Sequence, residues 1–412
     1  MKDAIIIGAR CAGSPLAMLL ARKGWSVLLV DKNTFPSDTM STHFIHPTGI
    51  ARLKRWGLLD AVIASNCPRI DRWNFDMGHA TFAGTPLPID GVSYSYCPRR
   101  TVLDEILVRG AKRAGAEVRE GFTVREIVTE GGRVTGIRGE SRDGASVTEH
   151  ARIVIGADGR RSLLAGAIGA PLYEERPVAC CCFYAYWDGV PLDGVDIVLR
   201  EGHAIFVFPT NDGQACSVLE WPRGEFDAVR ADVEGAASRS FDLSPPLAAK
   251  MRRARRARHF VGTADMPNYF RRAYGPGWAL AGDAGHHRDP CGAWGISDAF
   301  RDADYLAEAV DAGLSNRRPL EEALADYERR RDREAMPTYR ENYAMAQLKA
   351  LPPEARALHA ALAADQAEAD RFTGAILGTV PIEEFFSQEN VESIVARHRD
   401  NSGAASAVGA AS

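Results

Sequence analysis

An unbroken apolar run at residues 4–7 ends in Gly8. Leu16, Leu19 and Leu20 then recur at helical spacing up to Gly24, and a second apolar run ends in Asp31. Apolar runs without polar interruption predict strands buried on both faces. The short connection predicts that the strands, over 4–7 and 26–30, are parallel around a helix over 15–23. A helix over 101–115 follows, then a hairpin turning at "TEGGR" and a buried strand in "ARIVIGADG". From 172 to 273 the runs become short, alternating and aromatic, which predicts an antiparallel β layer with a hairpin around Asn211, Asp212 and Gly213. In that layer Cys180, Cys182, Tyr184 and Tyr186 share one face, and Phe183 and Trp187 share the other.

Strand-and-glycine texture returns at "GWALAGDAGHHRDPCGAWGI". The following helix steps through Ile296, Ala299, Ala303, Leu306 and Val310, which predicts one buried face. Residues 320–397 read as mostly helical with a break at Pro337, the basic run at 250–260 reads as a short helix with a solvated face, and the tail 399–412 has too little to bury to be ordered. The expected fold is α/β. A Rossmann-like domain with a parallel sheet (1–171 and 274–315) is interleaved with an antiparallel β-sheet substrate domain (172–273) and followed by a helical region (316–398) and a disordered tail.

Composition adds exclusions. At 412 residues, 46% apolar and 25% charged, with a formal net charge of −4, the chain has ample core and no charge excess that would seek nucleic acid or an acidic membrane. Its first apolar run is too short for a signal peptide and no segment reads as a membrane span, so a cytoplasmic protein is expected. Eight cysteines without a C-x-x-C pair read as free thiols in apolar places. His286 and His287 are adjacent and lack a completing carboxylate spacing, so no metal is expected.

The candidate chemistry lies at three strand-to-turn junctions. The first, "GARCAG", keeps Gly8 and Gly13 around Cys11 and Ala12 but places Arg10 where a dinucleotide cradle has its second glycine; Asp31 stands about 20 residues on, where ribose hydroxyls are met. The second and third place Asp158, with Gly159, and Asp283 beyond buried strands, where an open parallel sheet binds ligands. At the third, Pro290 stiffens a loop that leads into the helix near Ile296, whose positive end suits a ring that becomes anionic. His43 and His46 in "STHFIHPTG" are candidates for proton transfer, with structural hydrogen bonding as the rival reading.

The ordered motifs "GARCAG…VD", "PRRTVLDEIL", "IVIGADGRRS" and "WALAGDAGHHRDPCGAWGISDAFRDA" resemble those of the single-component FAD-dependent monooxygenases, the para-hydroxybenzoate hydroxylase-like family. The resemblance runs over about residues 4–310. It implies FAD as cofactor and NADPH or NADH as co-substrate. Dioxygen is captured as a flavin hydroperoxide, and one oxygen atom passes to a small aromatic or polyketide-like substrate. It places Asp31, with Lys32 beside it, at the adenosine ribose, Arg100 at the phosphate and ribityl region, and Val124 by the adenine. Asp283 would bind ribityl hydroxyls, Gly295 and Ile296 would meet the flavin pyrimidine edge, Pro290 would flank the reactive carbon, and Asp158 would serve FAD and nicotinamide.

The chain departs from the family pattern at Arg10, at Ala293, Trp294 and Ser297 in the flavin loop, and at Ala165. Trp294 is expected either to shape the substrate side of the flavin or to pack beneath it. Arg10 is expected to point its guanidinium along the cofactor. The alternatives within the fold are a flavin-dependent reductase of isoprenoid double bonds and a flavin halogenase, the latter disfavoured because no W-x-W-x-I-P stretch occurs; outside it stands a non-catalytic flavin-binding protein. A monomer or homodimer is expected.

Overall fold

The computed structural model describes the backbone of residues 1–409 and the side chains of residues 1–400. Lys2–Ile7 pairs in parallel with Val27–Asp31 on one side and Ser146–Gly156 on the other; Glu117–Glu120 and Trp278–Leu280 extend the parallel sheet outward. Ile5 meets Val154 and Leu28 in register, which explains the uninterrupted apolar runs: both faces of these strands are covered. One face packs on Leu16, Leu20, Leu103, Leu107 and Phe300 of three helices, the other on Phe122, Ile137 and Leu164.

The second sheet is ordered Arg255–Arg256, Cys180–Asp188, Gln214–Pro222, His203–Pro209, Val195–Arg200, Trp73–Asp76, Thr81–Gly84. Its last two strands come from within 1–171, so the antiparallel layer is not confined to 172–273; Trp73–Asp76 joins Val195–Arg200 in parallel. Leu172–Arg176 belongs instead to a small sheet with Asn268–Arg271 and His286–His287. The outer face of the large layer, with Cys181, Phe183 and Trp221, is covered by Val233–Phe241 and Pro245–Met251. The inner face, with Cys180, Cys182, Tyr184 and Tyr186, joins a core completed by Phe372, Leu377 and Phe385 from the helical region.

Four local expectations are corrected. The helix Gly295–Leu314 is buried on nearly all sides, because its charged residues pair inside the protein: Asp298 with Arg288 and Arg301, Asp302 with Arg301. Pro337 lies inside the continuous helix Leu320–Ala346, where burial of Ala335 and Tyr339 against Phe270 offsets the lost backbone hydrogen bond. The helix Pro245–Met251 ends before most of the basic run, and Arg255–Arg256 forms a strand whose arginines pair with Asp188 and Glu234. The last helix, Gln388–Gly409, runs on as helical backbone into the stretch expected to be disordered, in keeping with the high helix propensity of its alanines; residues 410–412 lie outside the described ones. No helix among the described residues is long and apolar enough to cross a membrane.

Candidate active site

Gly8 and Gly13 build the first turn by close approach. Gly8 has φ +103°, and a Cβ on Gly13 would lie 1.8 Å from the Gly8 carbonyl oxygen, so the helix start sits directly on the strand end. The helix Gly13–Arg22 has no side-chain cap. Asp31 fixes the turn from the next strand, accepting from the Ala9 amide (2.8 Å) and the Asn33 amide (2.8 Å). Oδ1 also accepts from Asn33 Nδ2 (3.1 Å), whereas Oδ2, held by the Ala9 amide alone, keeps a second lone pair for a ribose hydroxyl.

These elements border a cavity of about 900 Å³. It gathers Gly8, Arg10, Cys11, Ala12, Asp31, Lys32, Arg100, Val124, Asp158, Gly159, Asp283, Pro290, Ala293, Gly295 and Ile296 on one wall system. Gly13 lies beneath the turn rather than on the wall, and His43, His46 and Trp294 do not border this cavity.

Arg10 is held from three directions: by the Asp104 carboxylate, by Ser37 Oγ (2.8 Å) and by the Asp38 carbonyl (3.3 Å), with Phe35 under its guanidinium. It therefore braces the 35–38 loop rather than extending freely along a cofactor. Arg100 binds the same Asp104 through Nε and Nη2, both at 3.0 Å. Two guanidinium groups on one carboxylate leave a net positive charge beside the uncapped helix end, which suits a pyrophosphate. Cys11 donates to Asp104 at 3.5 Å and burial pushes it up to about 12, so it is a thiol and adds no charge. Asp104 was not singled out from the sequence, although "RTVLD" sets it one helical turn after Arg100.

Asp158 accepts from the Leu163 amide (2.7 Å) through one oxygen, while the other is buried without a partner; burial pushes its carboxyl up. The Asp283 carboxylate has no hydrogen bond within the described residues and faces the cavity. At the far end the helix Gly295–Leu314 also lacks a side-chain cap and turns its first amides to the same space. Unmet acceptors at Asp158 and Asp283, unmet donors at two helix starts and a cavity of this volume fit an elongated dinucleotide that carries both hydroxyls and phosphates.

Ala293 holds a left-handed conformation, φ 55° and ψ 28°, between Gly292 and Trp294. Ala293→Gly is expected to stay within about 1 kcal/mol of the parent, because relief of strain offsets the added freedom of the unfolded chain. Ala293→Val should lose about 2 kcal/mol or more. Urea unfolding of the two variants checks this.

A second, apolar chamber of about 100 Å³ adjoins the large cavity, and Thr42, Val218, Pro290 and Ala293 border both. Its walls come from the antiparallel sheet (Trp73, Phe75, Phe206, Phe208) and from the helical region (Met345, Phe372, Ile376, Leu377). The sequence reading identified none of these residues as part of a site. The inner face of the β layer is thus the one turned to the cofactor cavity, through Cys182, Tyr184 and Val218.

His46 borders this chamber; its Nε2 meets the Gly292 carbonyl at 2.9 Å and its ring lies 4.3 Å from that of Trp294. Trp294 is wedged between His46, Arg288 and Gly378, which makes it a packing residue of the flavin loop. His43 is fully buried with Nε2 on the Tyr186 hydroxyl. Burial pushes His43 down to about 3 and His46 down to about 4, with Arg100 and Arg99 adding to the fall at His43. Both are neutral near pH 7, so neither supplies the acid form that a proton donor at that pH requires.

These depressed values carry a sign for stability. Between about pH 6.5 and pH 4 the unfolded chain binds protons that the native chain refuses, so stability falls as pH falls through that window. His43→Asn, which keeps a residue suited to its φ of 62°, should flatten the slope by up to about 1.4 kcal/mol per pH unit. Denaturation midpoints measured from pH 7 to 4.5 test it; an unchanged slope overturns the assignment.

The FAD binding domain family matches residues 1–341. A tryptophan 2-halogenase from Chondromyces crocatus is 24% identical over 344 residues, covering 79% of this chain and only 64% of the halogenase. A digeranylgeranylglycerophospholipid reductase 2 from Methanopyrus kandleri is 26% identical over 306 residues, 71% of this chain and 73% of its own. A rifampicin monooxygenase from Rhodococcus hoagii is 25% identical over 346 residues, 78% of this chain and 66% of its own.

Proposed function

From the premise that this chain belongs to the FAD binding domain family, as a para-hydroxybenzoate hydroxylase-like FAD-dependent oxidoreductase, we propose that it is an NAD(P)H-consuming monooxygenase that hydroxylates a small aromatic or polyketide-like substrate. The observation that carries the reading is the aromatic-lined chamber joined to the cofactor cavity at Pro290 and Ala293. Its volume of about 100 Å³ is of the order of the engineered cavities of roughly 150 Å³ that take up one benzene ring. One ring of a substrate fits there with its edge toward the flavin loop, and the remainder extends into the larger cavity.

Bound FAD would supply the redox chemistry, with NAD(P)H as the two-electron reductant and dioxygen as the oxidant, one oxygen atom going to the substrate and the other to water. The protein's residues bind, orient and exclude. Asp31, Asp283 and the Arg10–Asp104–Arg100 cluster would hold the dinucleotide along the cavity, and the amides of Gly295 and Ile296 would stabilise the negative charge the ring gains. Phe44, Phe208 and Phe372 keep water from the reacting carbon. His46 holds the loop through Gly292 rather than moving a proton.

The absence of a W-x-W-x-I-P stretch ranks the halogenase reading below hydroxylation, and incorporation of oxygen into the product separates hydroxylation from a reductase of isoprenoid double bonds. Anaerobic mixing of the yellow protein with NADPH and with NADH, then admission of ¹⁸O-labelled dioxygen and a panel of neutral aromatics, tests the proposal. The expected result is substrate-stimulated nicotinamide oxidation and one labelled oxygen per product. Product formation that requires bromide or chloride, or a flavin that neither nucleotide reduces, overturns it.

A further inference from the structure

Behind Pro290, where the antiparallel sheet meets the flavin loop, three potential ligands of different chemistry converge. The Cys180 thiol lies 3.1 and 3.2 Å from the two Asp289 carboxylate oxygens, and one Glu220 carboxylate oxygen completes a triangle whose corners are all within 4.8 Å of one another. All three residues are buried, Cys180 and Asp289 at 0% exposure and Glu220 at 1%. Neither Glu220 oxygen accepts a hydrogen bond of normal geometry, and among the described residues no lysine or arginine pairs with either carboxylate. Two buried carboxyl groups without a cation carry a large desolvation cost. Protonation would remove the charge yet leave Glu220 with a hydroxyl donor and no acceptor in normal geometry.

We propose that Cys180, Glu220 and Asp289 bind one divalent metal ion of the zinc class, which clamps the substrate sheet to the turn that carries Pro290. One thiolate and two carboxylates are a donor set zinc accepts, at ligand distances of about 2.0–2.3 Å. The site is supported from behind: the Cys291 amide donates to Asp289 Oδ1 (3.3 Å), the Asp289 amide donates to Asn268 (2.7 Å), and the Cys291 thiol lies beside Glu220. Binding releases the Cys180 proton, and any proton shared by the carboxyls, to solvent; the site then carries a net charge of −1 in place of two bare carboxylates. Of the three residues, Asp289 also borders the large cavity.

The test is metal analysis of the FAD-loaded protein from zinc-supplemented culture after dialysis. About one zinc per chain is expected in the parent and in the distant thiol variant Cys67→Ser, falling below ~0.2 in Cys180→Ser and Glu220→Gln. Zinc X-ray absorption of the parent, which needs no variant to fold, should show a shell of one sulfur with oxygen ligands. Chelation should lower the melting temperature, and zinc alone should restore it. Zinc-free parent protein, a sulfur-free zinc shell, or zinc content indifferent to Cys180→Ser and Glu220→Gln overturns the proposal.

Discussion

Gly13→Ala is expected to abolish FAD retention and to destabilise the protein by about 3 kcal/mol or more. The added methyl would sit 1.8 Å from the Gly8 carbonyl oxygen, 3.0 Å from its carbon and 3.1 Å from Ile6 Cγ2. Two of these are backbone atoms, so no side chain can swing aside, and the helix start must lift off the strand end by more than an ångström. Gly8 cannot yield in turn. A Cβ there would be 2.3 Å from the Ala157 carbonyl oxygen, because the turn is also pressed against the end of Ser146–Gly156. The same lift moves the uncapped amides away from the Arg10–Asp104–Arg100 cluster, so cofactor affinity and stability fall together. Gly24→Ala is the control: Gly24, at the far end of the same helix, has φ +89° with nothing within 4 Å of its Cβ, so it costs backbone strain alone, about 1 kcal/mol. Flavin absorbance of the purified variants and their melting temperatures decide the matter. Parental values for both in Gly13→Ala would show that the turn tolerates what its geometry forbids.

That turn was legible because its determinants are local. Gly8, Gly13 and Asp31 lie within one strand–helix–strand unit, and the unbroken apolar runs on either side reflect strands covered on both faces. Asp158 and Asp283 were legible for the same reason, each ending a buried strand of that sheet. Arg10 was legible as a departure but not in its partners. Ser37 and Asp104 reach it through a loop and a later helix, which only the fold brings together.

The apolar chamber was hidden for a different cause. Trp73 and Phe75 alternate with half-exposed Asn74 and Asp76, a short period-two signal that was available, but their parallel pairing with Val195–Arg200 spans more than a hundred residues. Phe372 and Leu377 belong to a helix whose apolar positions announce burial without saying against what. Long-range closure of this kind leaves no mark in the local pattern, which is why the glycine turn was legible in the sequence and the apolar chamber was not. His43 and His46 show the converse: the residue type suggested proton transfer, and burial leaves both neutral near pH 7, without the acid form.

The chamber makes the second strong prediction, at Val218. This side chain borders both cavities, between Tyr184 on one neighbouring strand and Phe206 on the other. Val218→Phe places a ring in the passage between the flavin loop and a chamber of about 100 Å³, so it should block substrate entry without touching the phosphate cradle. Overpacking a buried strand position is expected to cost about 1–3 kcal/mol of stability, which a folded domain of this size tolerates. FAD content and the slow reduction by NAD(P)H without substrate should therefore match the parent. The kcat/KM for hydroxylation should fall by about 100-fold or more, equivalent to about 2.7 kcal/mol of lost transition-state binding. Phe208→Ala works in the opposite direction, since removing a ring from the far wall lengthens the chamber and should move the preference toward bulkier aromatics. If Val218→Phe keeps the parental kcat/KM while Phe208→Ala leaves the preference unchanged, the substrate does not occupy this chamber, and the reacting carbon must be sought inside the larger cavity, toward Tyr184 and Cys182.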